Sequence, residues 1–118
     1  MSGAAVKQQL TNNRFSKLRG EILLTRPLFC RMLSVSERSL ADYETSKKKP
    51  GESVLRKLRE LERLMEELRK TIDTEFLNTW IKEPNKAFDG LKPIEVIERG
   101  EVDRIWRMIY FVRSGQPG

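Results

Sequence analysis

Histidine is absent from this chain of 118 residues, and cysteine occurs once, at Cys30. Without histidine or a second thiol, an internal disulfide is excluded and a His/Cys metal site has no ligands, so a secreted disulfide scaffold is not expected. Imidazole acid–base chemistry is likewise missing. No Gly-rich phosphate loop and no metal-ligand cluster occurs, and the 17 carboxylates alternate mainly with Lys and Arg, as on solvated helix faces. A catalyst needs a positioned acid, base or nucleophile, so the expectation is a protein that is not an enzyme, with no cofactor and no metal. No stretch approaches the roughly 18 apolar residues of a membrane span, and residues 1–13 have no apolar segment behind a basic start. Neither a membrane anchor nor a signal peptide is expected, and the cytoplasm is the expected compartment.

What the chain does contain is 38% hydrophobic and 34% charged residues, with a mean hydropathy of −0.56. That mixture builds a modest core under a well-solvated surface, in one domain or two small helical modules sharing a core. The net charge of +6 is uneven. Residues 1–70 carry 16 Lys and Arg against 9 Asp and Glu, whereas residues 71–118 carry 7 against 8. A basic front half suits a polyanion, and the near-neutral back half suits something else.

Hydrophobic periodicity predicts helices throughout and no strand, so the fold class is all-α. Residues 1–13 are polar and aperiodic and are expected to be flexible. Phe15, Leu18, Ile22 and Leu23 set a first helix over 14–24. Thr25 caps a second, with Pro27 in its first turn and Leu28, Phe29, Met32 and Leu33 as its stripe. After Ser34-Val35-Ser36, Ser36 caps a third helix, with Leu40 and Tyr43 inward and Glu37, Arg38, Ser39 and Asp42 outward. Two short helices joined by a tight turn, the second with a polar outer face, form a helix-turn-helix pattern. The loop Lys47-Lys48-Lys49-Pro50-Gly51 follows directly, and beside such a motif its lysines suit phosphate contact.

From Glu52 to about Trp80 the pattern is one long helix or two nearly continuous ones. Val54, Leu58, Leu61, Met65, Leu68 and Ile72 follow a heptad seam that needs one partner helix. The partner is either the same helix of a second copy or another helix of this chain; a homodimer through Leu58, Leu61, Met65 and Leu68 is the favoured expectation. Two prolines and an Asp-Gly turn then break the chain. Pro93 opens a short helix closed by Gly100, and a last helix from Glu101 to about Arg113 has a wide apolar face. The expected division is an N-terminal unit over 14–70, ending in the long connecting helix, and a small C-terminal unit over 71–118. Cys30 reads as a small buried residue, and Trp80, Trp106 and Tyr110 read as core packing rather than platforms for bases.

Two stretches resemble a known family. Residues 22–50, with Leu24-Thr25 opening one helix, Leu33-Ser34-Val35-Ser36 at the turn and Tyr43-Glu44 closing the next, are similar to the Cro/repressor-like helix-turn-helix of Xre-type regulators. Trp80, Pro84-Asn85, Gly90, Pro93, Ile94-Glu95-Val96-Ile97, Gly100 and Gly115 resemble the toxin-binding domain of Xre/MbcA/ParS-type antitoxins. The resemblance implies a type II antitoxin whose partner is a RES-domain toxin that consumes NAD or transfers ADP-ribose from it. It implies toxin contact through Trp80, Pro84, Asn85, Trp106, Tyr110, Arg113, Ser114, Gly115 and Gln116, with the tail reaching the toxin's cleft. It also implies operator DNA facing Arg26, Arg38 and Ser39, with Lys47, Lys48 and Lys49 on phosphates. Glu37 and Asp42 depart from the family's pattern, because outward carboxylates oppose the phosphate-rich groove unless one accepts from cytosine N4. The alternative reading is a stand-alone helix-turn-helix transcriptional regulator whose C-terminal module serves dimerisation. A third is an interaction protein without DNA binding.

Overall fold

Asn13, expected to fray with the residues before it, is the N-cap of the first helix. Its side-chain oxygen accepts from the N–H groups of Phe15 and Ser16, and its amide donates to the Tyr43 carbonyl at 2.8 Å. The computed structural model describes residues 13–115. Residues 1–12 of the expected flexible start, and Gln116 of the expected toxin contact, lie outside the described residues.

Within them the chain forms α1 (Arg14–Glu21), α2 (Arg26–Leu33), α3 (Glu37–Glu44), α4 (Glu52–Thr71), α5 (Thr74–Ile81), a 3-10 turn (Lys86–Phe88), α6 (Pro93–Glu98) and α7 (Val102–Ser114). The described residues are helical with no strand, as the periodicity predicts. No helix among them is long and apolar enough to cross a membrane.

Local chemistry accounts for most helix ends. The Thr25 hydroxyl accepts from the Leu28 N–H and the Ser36 hydroxyl from the Ser39 N–H, each satisfying a first-turn donor. Pro93 starts α6, where the Glu95 carboxylate accepts from the Lys92 N–H at 2.8 Å. Gly100, at φ 76°, turns the chain from α6 into α7.

One boundary differs from the sequence expectation, and one alternative that the sequence left open is decided in favour of two helices. α1 stops at Glu21 rather than residue 24, because Leu23 adopts φ 54° and splits its neighbours. Ile22 and Leu24 turn into the core while Leu23 is left 60% exposed. That uncommon backbone is held from outside, by the Asn78 amide donating to the Leu23 carbonyl at 2.6 Å. The long helical stretch breaks at Ile72, which is extended at φ −129° and ψ 130°. α4 and α5 are therefore separate helices that can lie against each other.

α4 is the central element. Leu58, Leu61, Leu64, Met65 and Leu68 are buried, and the helix packs against α2, α5 and α7 of the same chain. This corrects the dimer expectation for Leu58, Leu61, Met65 and Leu68. Their apolar surface is already covered by the chain's own helices, and close-packed side chains leave no room for a second copy on that face. The sequence gives a seam but cannot name its partner. A single core joins the two expected units, with α2 packed on α6 and α4 on α7. Ion pairs Arg14 to Glu62 and Arg69 to Glu21 strap α1 along α4.

Candidate functional site

Two surfaces carry groups that the core does not need. The first surrounds the C-terminal turn of α3. α2 and α3 are joined by Ser34-Val35-Ser36, with Ser34 in the left-handed region at φ 57°. Leu40 and Tyr43 point inward, as expected. Glu44, which the sequence gives no reason to bury, is also enclosed, at 3% exposure. Its carboxylate accepts from Arg19 Nε at 2.6 Å and Nη2 at 3.1 Å, and from Arg26 Nε at 3.1 Å. Two guanidiniums on one buried carboxylate satisfy it and leave a local excess of positive charge.

Arg26 is thus held at this end of α3 with half of its side chain exposed. The lysine loop folds back to the same place, because the N–H groups of Lys47 and Lys48 both donate to the Asp42 carbonyl. Lys47, Lys48 and Lys49 are exposed. The structure therefore gathers Arg26 and the three lysines around one helix end, where the carbonyl dipoles also favour cations. Arg38 is exposed at the other end of α3. Ser39 is partly buried and belongs to the cap, its hydroxyl accepting from Ser36 Oγ at 3.0 Å. Glu37 is exposed and Asp42 partly buried on the same helix. Cys30 is buried behind this surface, and burial pushes its thiol above the ordinary range, with Glu37 and Glu44 adding to the shift. It is a packing residue rather than a reactive thiolate.

The second surface is the end of α7. Ile105 and Ile109 are buried, yet Val112, next on the same stripe, is 56% exposed. Tyr110 is 70% and Phe111 49% exposed. The core-packing expectation for Tyr110 is therefore corrected, since its position on the helix turns it away from α4. An open groove of about 700 Å³ runs here, lined mainly by Trp106, Ile109, Tyr110, Phe111 and Arg113. Arg113 is tied to the Glu67 carboxylate of α4, Ser114 Oγ donates to the Phe111 carbonyl at 3.1 Å, and Gly115 at φ 68° ends the helix. The arrangement offers mainly apolar area, suited to binding.

Phe111 and Val112 are the residues the sequence reading missed here. The signal was present: four successive apolar residues, Ile109-Tyr110-Phe111-Val112, point in four directions on a helix and cannot all face one core. The other expected toxin contacts lie elsewhere. Trp80 packs edge-on against Phe88 with centroids 6.1 Å apart, and Arg104 lies over the same Phe88 ring. The Asn85 side chain accepts from the Ala87 N–H at 2.9 Å, and its backbone closes the loop with Leu91 and Gly90. Trp80 and Asn85 thus shape the loop before α6, and Pro84 is exposed on it. Arg104 anchors this loop at the start of α7 through Asp89, two to three turns away from the bare end.

No family model matches the chain, and no curated protein sequence matches it. Among solved structures, a chain of the crystal structure of the M. tuberculosis MbcT-MbcA toxin-antitoxin complex has a similar fold, with a TM-score of 0.76 at 22% identity. The likeness covers 90% of this chain and 96% of that one. It establishes a shared fold.

Proposed function

We propose that this chain is the antitoxin of a type II toxin–antitoxin pair, which neutralises a RES-domain toxin acting on NAD by covering it, and which also binds its own operator. One observation carries the reading: the last turn of α7 exposes Tyr110, Phe111 and Val112 together. Three large apolar side chains exposed on one turn of a helix are stable in water only at a cost of roughly 25 cal/mol per Å² of apolar surface, which a protein partner removes. The shared fold with a chain from a toxin-antitoxin complex supports the same conclusion, as does the resemblance in the sequence. Inhibition is by occlusion and needs no catalysis by this chain. The setting is the cytoplasm, where NAD and operator DNA are both found.

Operator binding draws on the other surface. Arg26, Arg38 and the lysine loop supply the phosphate contacts that fix α3 on the duplex, and Glu37 and Asp42 limit which bases it tolerates. The pairing is tested by co-expressing the chain with the product of the adjacent gene and purifying through a tag on either one. A complex that survives size exclusion supports the antitoxin reading. Absence of association with an NAD-consuming neighbour favours the alternative, a transcriptional regulator that uses the bare end of α7 for self-association. The specific ground for that alternative is that the α4 seam is already covered, whereas Tyr110, Phe111 and Val112 of α7 are exposed and open to a second copy.

A further inference from the structure

The pairing of arginines in this fold leaves one row open. Eight arginines donate to carboxylates within 4 Å. Of the five that have no such partner among the described residues, three lie on one exposed stripe of α4: Arg56, Arg59 and Arg63. Their spacing of three and four residues brings them to one helix face over about 10 Å. The Arg63 guanidinium lies 6.0 Å from the centre of the partly buried Trp106 ring, which limits its freedom. Together with Glu60 these residues line an open groove of about 320 Å³.

Trp106 is also a wall of the apolar groove at the end of α7, so the two grooves meet at one side chain. Specific protein interfaces bury on the order of 1,200–2,000 Å² in total. Three exposed side chains on one helical turn supply only part of that, so the footprint must extend. The adjoining row holds three cations with no carboxylate bound to them.

We infer that the protein partner seated on the end of α7 also covers Arg56, Arg59 and Arg63, and that the surface it presents to them is a row of acidic side chains. The inference rests on the toxin-docking reading and adds the chemistry of the partner's surface. Guanidiniums prepared in this way recognise carboxylates in forked geometry and speed the encounter of an acidic partner. Glu60 within the groove favours a protein over a nucleic-acid backbone, because it repels successive phosphates while a protein surface can place a donor opposite it.

The test is association kinetics with the purified toxin encoded by the adjacent gene, for wild type, the triple variant Arg56→Glu, Arg59→Glu, Arg63→Glu, and Phe111→Ala. The triple variant loses the Arg63–Trp106 contact and gains like-charge neighbours on α4, so a modest drop in thermal stability is expected. Arg59→Gln, which should unfold as wild type does, serves as the control and should lower the association rate by a smaller factor. The triple variant should lower the association rate constant about tenfold at low salt and flatten its salt dependence. Phe111→Ala should act on the dissociation rate instead. Wild-type association by the triple variant at every salt concentration would overturn the inference while leaving the toxin-docking reading intact. Loss of operator affinity with toxin association unchanged would overturn it in favour of a nucleic-acid surface. If the wild type itself fails to bind the toxin, the docking reading and this inference fall together.

Discussion

Glu98 of α6 accepts two hydrogen bonds from Arg31 of α2, at 2.8 Å from Nε and 2.7 Å from Nη2. This forked pair joins the helix before the Ser34 turn to the short helix of the C-terminal part, so the two surfaces described above belong to one rigid packing unit. The hydrogen bond from Arg31 holds the Glu98 carboxyl below the usual carboxylate range, and Glu98 raises the guanidinium in return. A carboxyl depressed in the folded state stabilises above its unfolded pKa, and that contribution is lost as pH falls through the folded value. Glu98→Gln should therefore lower stability slightly at neutral pH, by about 0.5 kcal/mol or less for so exposed a pair, read as a small drop in melting temperature. The difference from wild type should vanish in acid, below the carboxylate range. A difference that grew in acid would contradict the pairing.

Truncating α4 tests where its seam is buried. Leu61→Ala should destabilise by about 3 kcal/mol, as for a leucine removed from a packed interior. The melting temperature of the wild type should not depend on protein concentration over a hundredfold range. A melting temperature that rose steeply with concentration, and still did so in the double variant Tyr110→Ala, Phe111→Ala, would show that the seam is shared between copies.

The buried carboxylate offers a sharper comparison. Glu44→Ala should cost about 1–3 kcal/mol by removing the charged hydrogen bonds to Arg19 and Arg26, which still reach water. Arg19→Met should cost more than Arg26→Met, since Arg19 makes two of the three bonds and its side chain is 27% exposed against 50%. Equal losses measured by urea unfolding would put the carboxylate's main partner elsewhere.

The features that were readable in the sequence are those decided within a few residues. Thr25, Ser36, Pro93 and Gly100 mark helix ends because a cap or a left-handed turn needs only its neighbours. The features that were not readable depend on distant partners. Leu23 holds φ 54° because Asn78, far along the chain, grips its carbonyl. Glu44 is buried because Arg19 and Arg26 arrive from two other helices. The α4 seam has a clear period, but periodicity says that a face is covered and not by what. Tyr110 shows the same limit at the candidate site: whether an apolar helix position is core or docking surface depends on which faces of the helix its neighbours cover.

Replacing Lys47, Lys48 and Lys49 with Ala should weaken operator binding by a similar factor on cognate and unrelated duplexes, because phosphate contacts carry no base code. The slope of log affinity against log salt should fall by up to about three. A loss confined to the cognate sequence would assign the lysines to base reading instead.

The central claim is that the bare end of α7 silences a toxin. NAD loss catalysed by the toxin of the adjacent gene should be followed with wild type and with the double variant Tyr110→Ala, Phe111→Ala. Both side chains are largely exposed, so the variant should keep its fold and its DNA affinity. The account predicts full inhibition by stoichiometric wild type and at least a tenfold weaker inhibition constant for the variant. Inhibition by the variant at wild-type strength would contradict it.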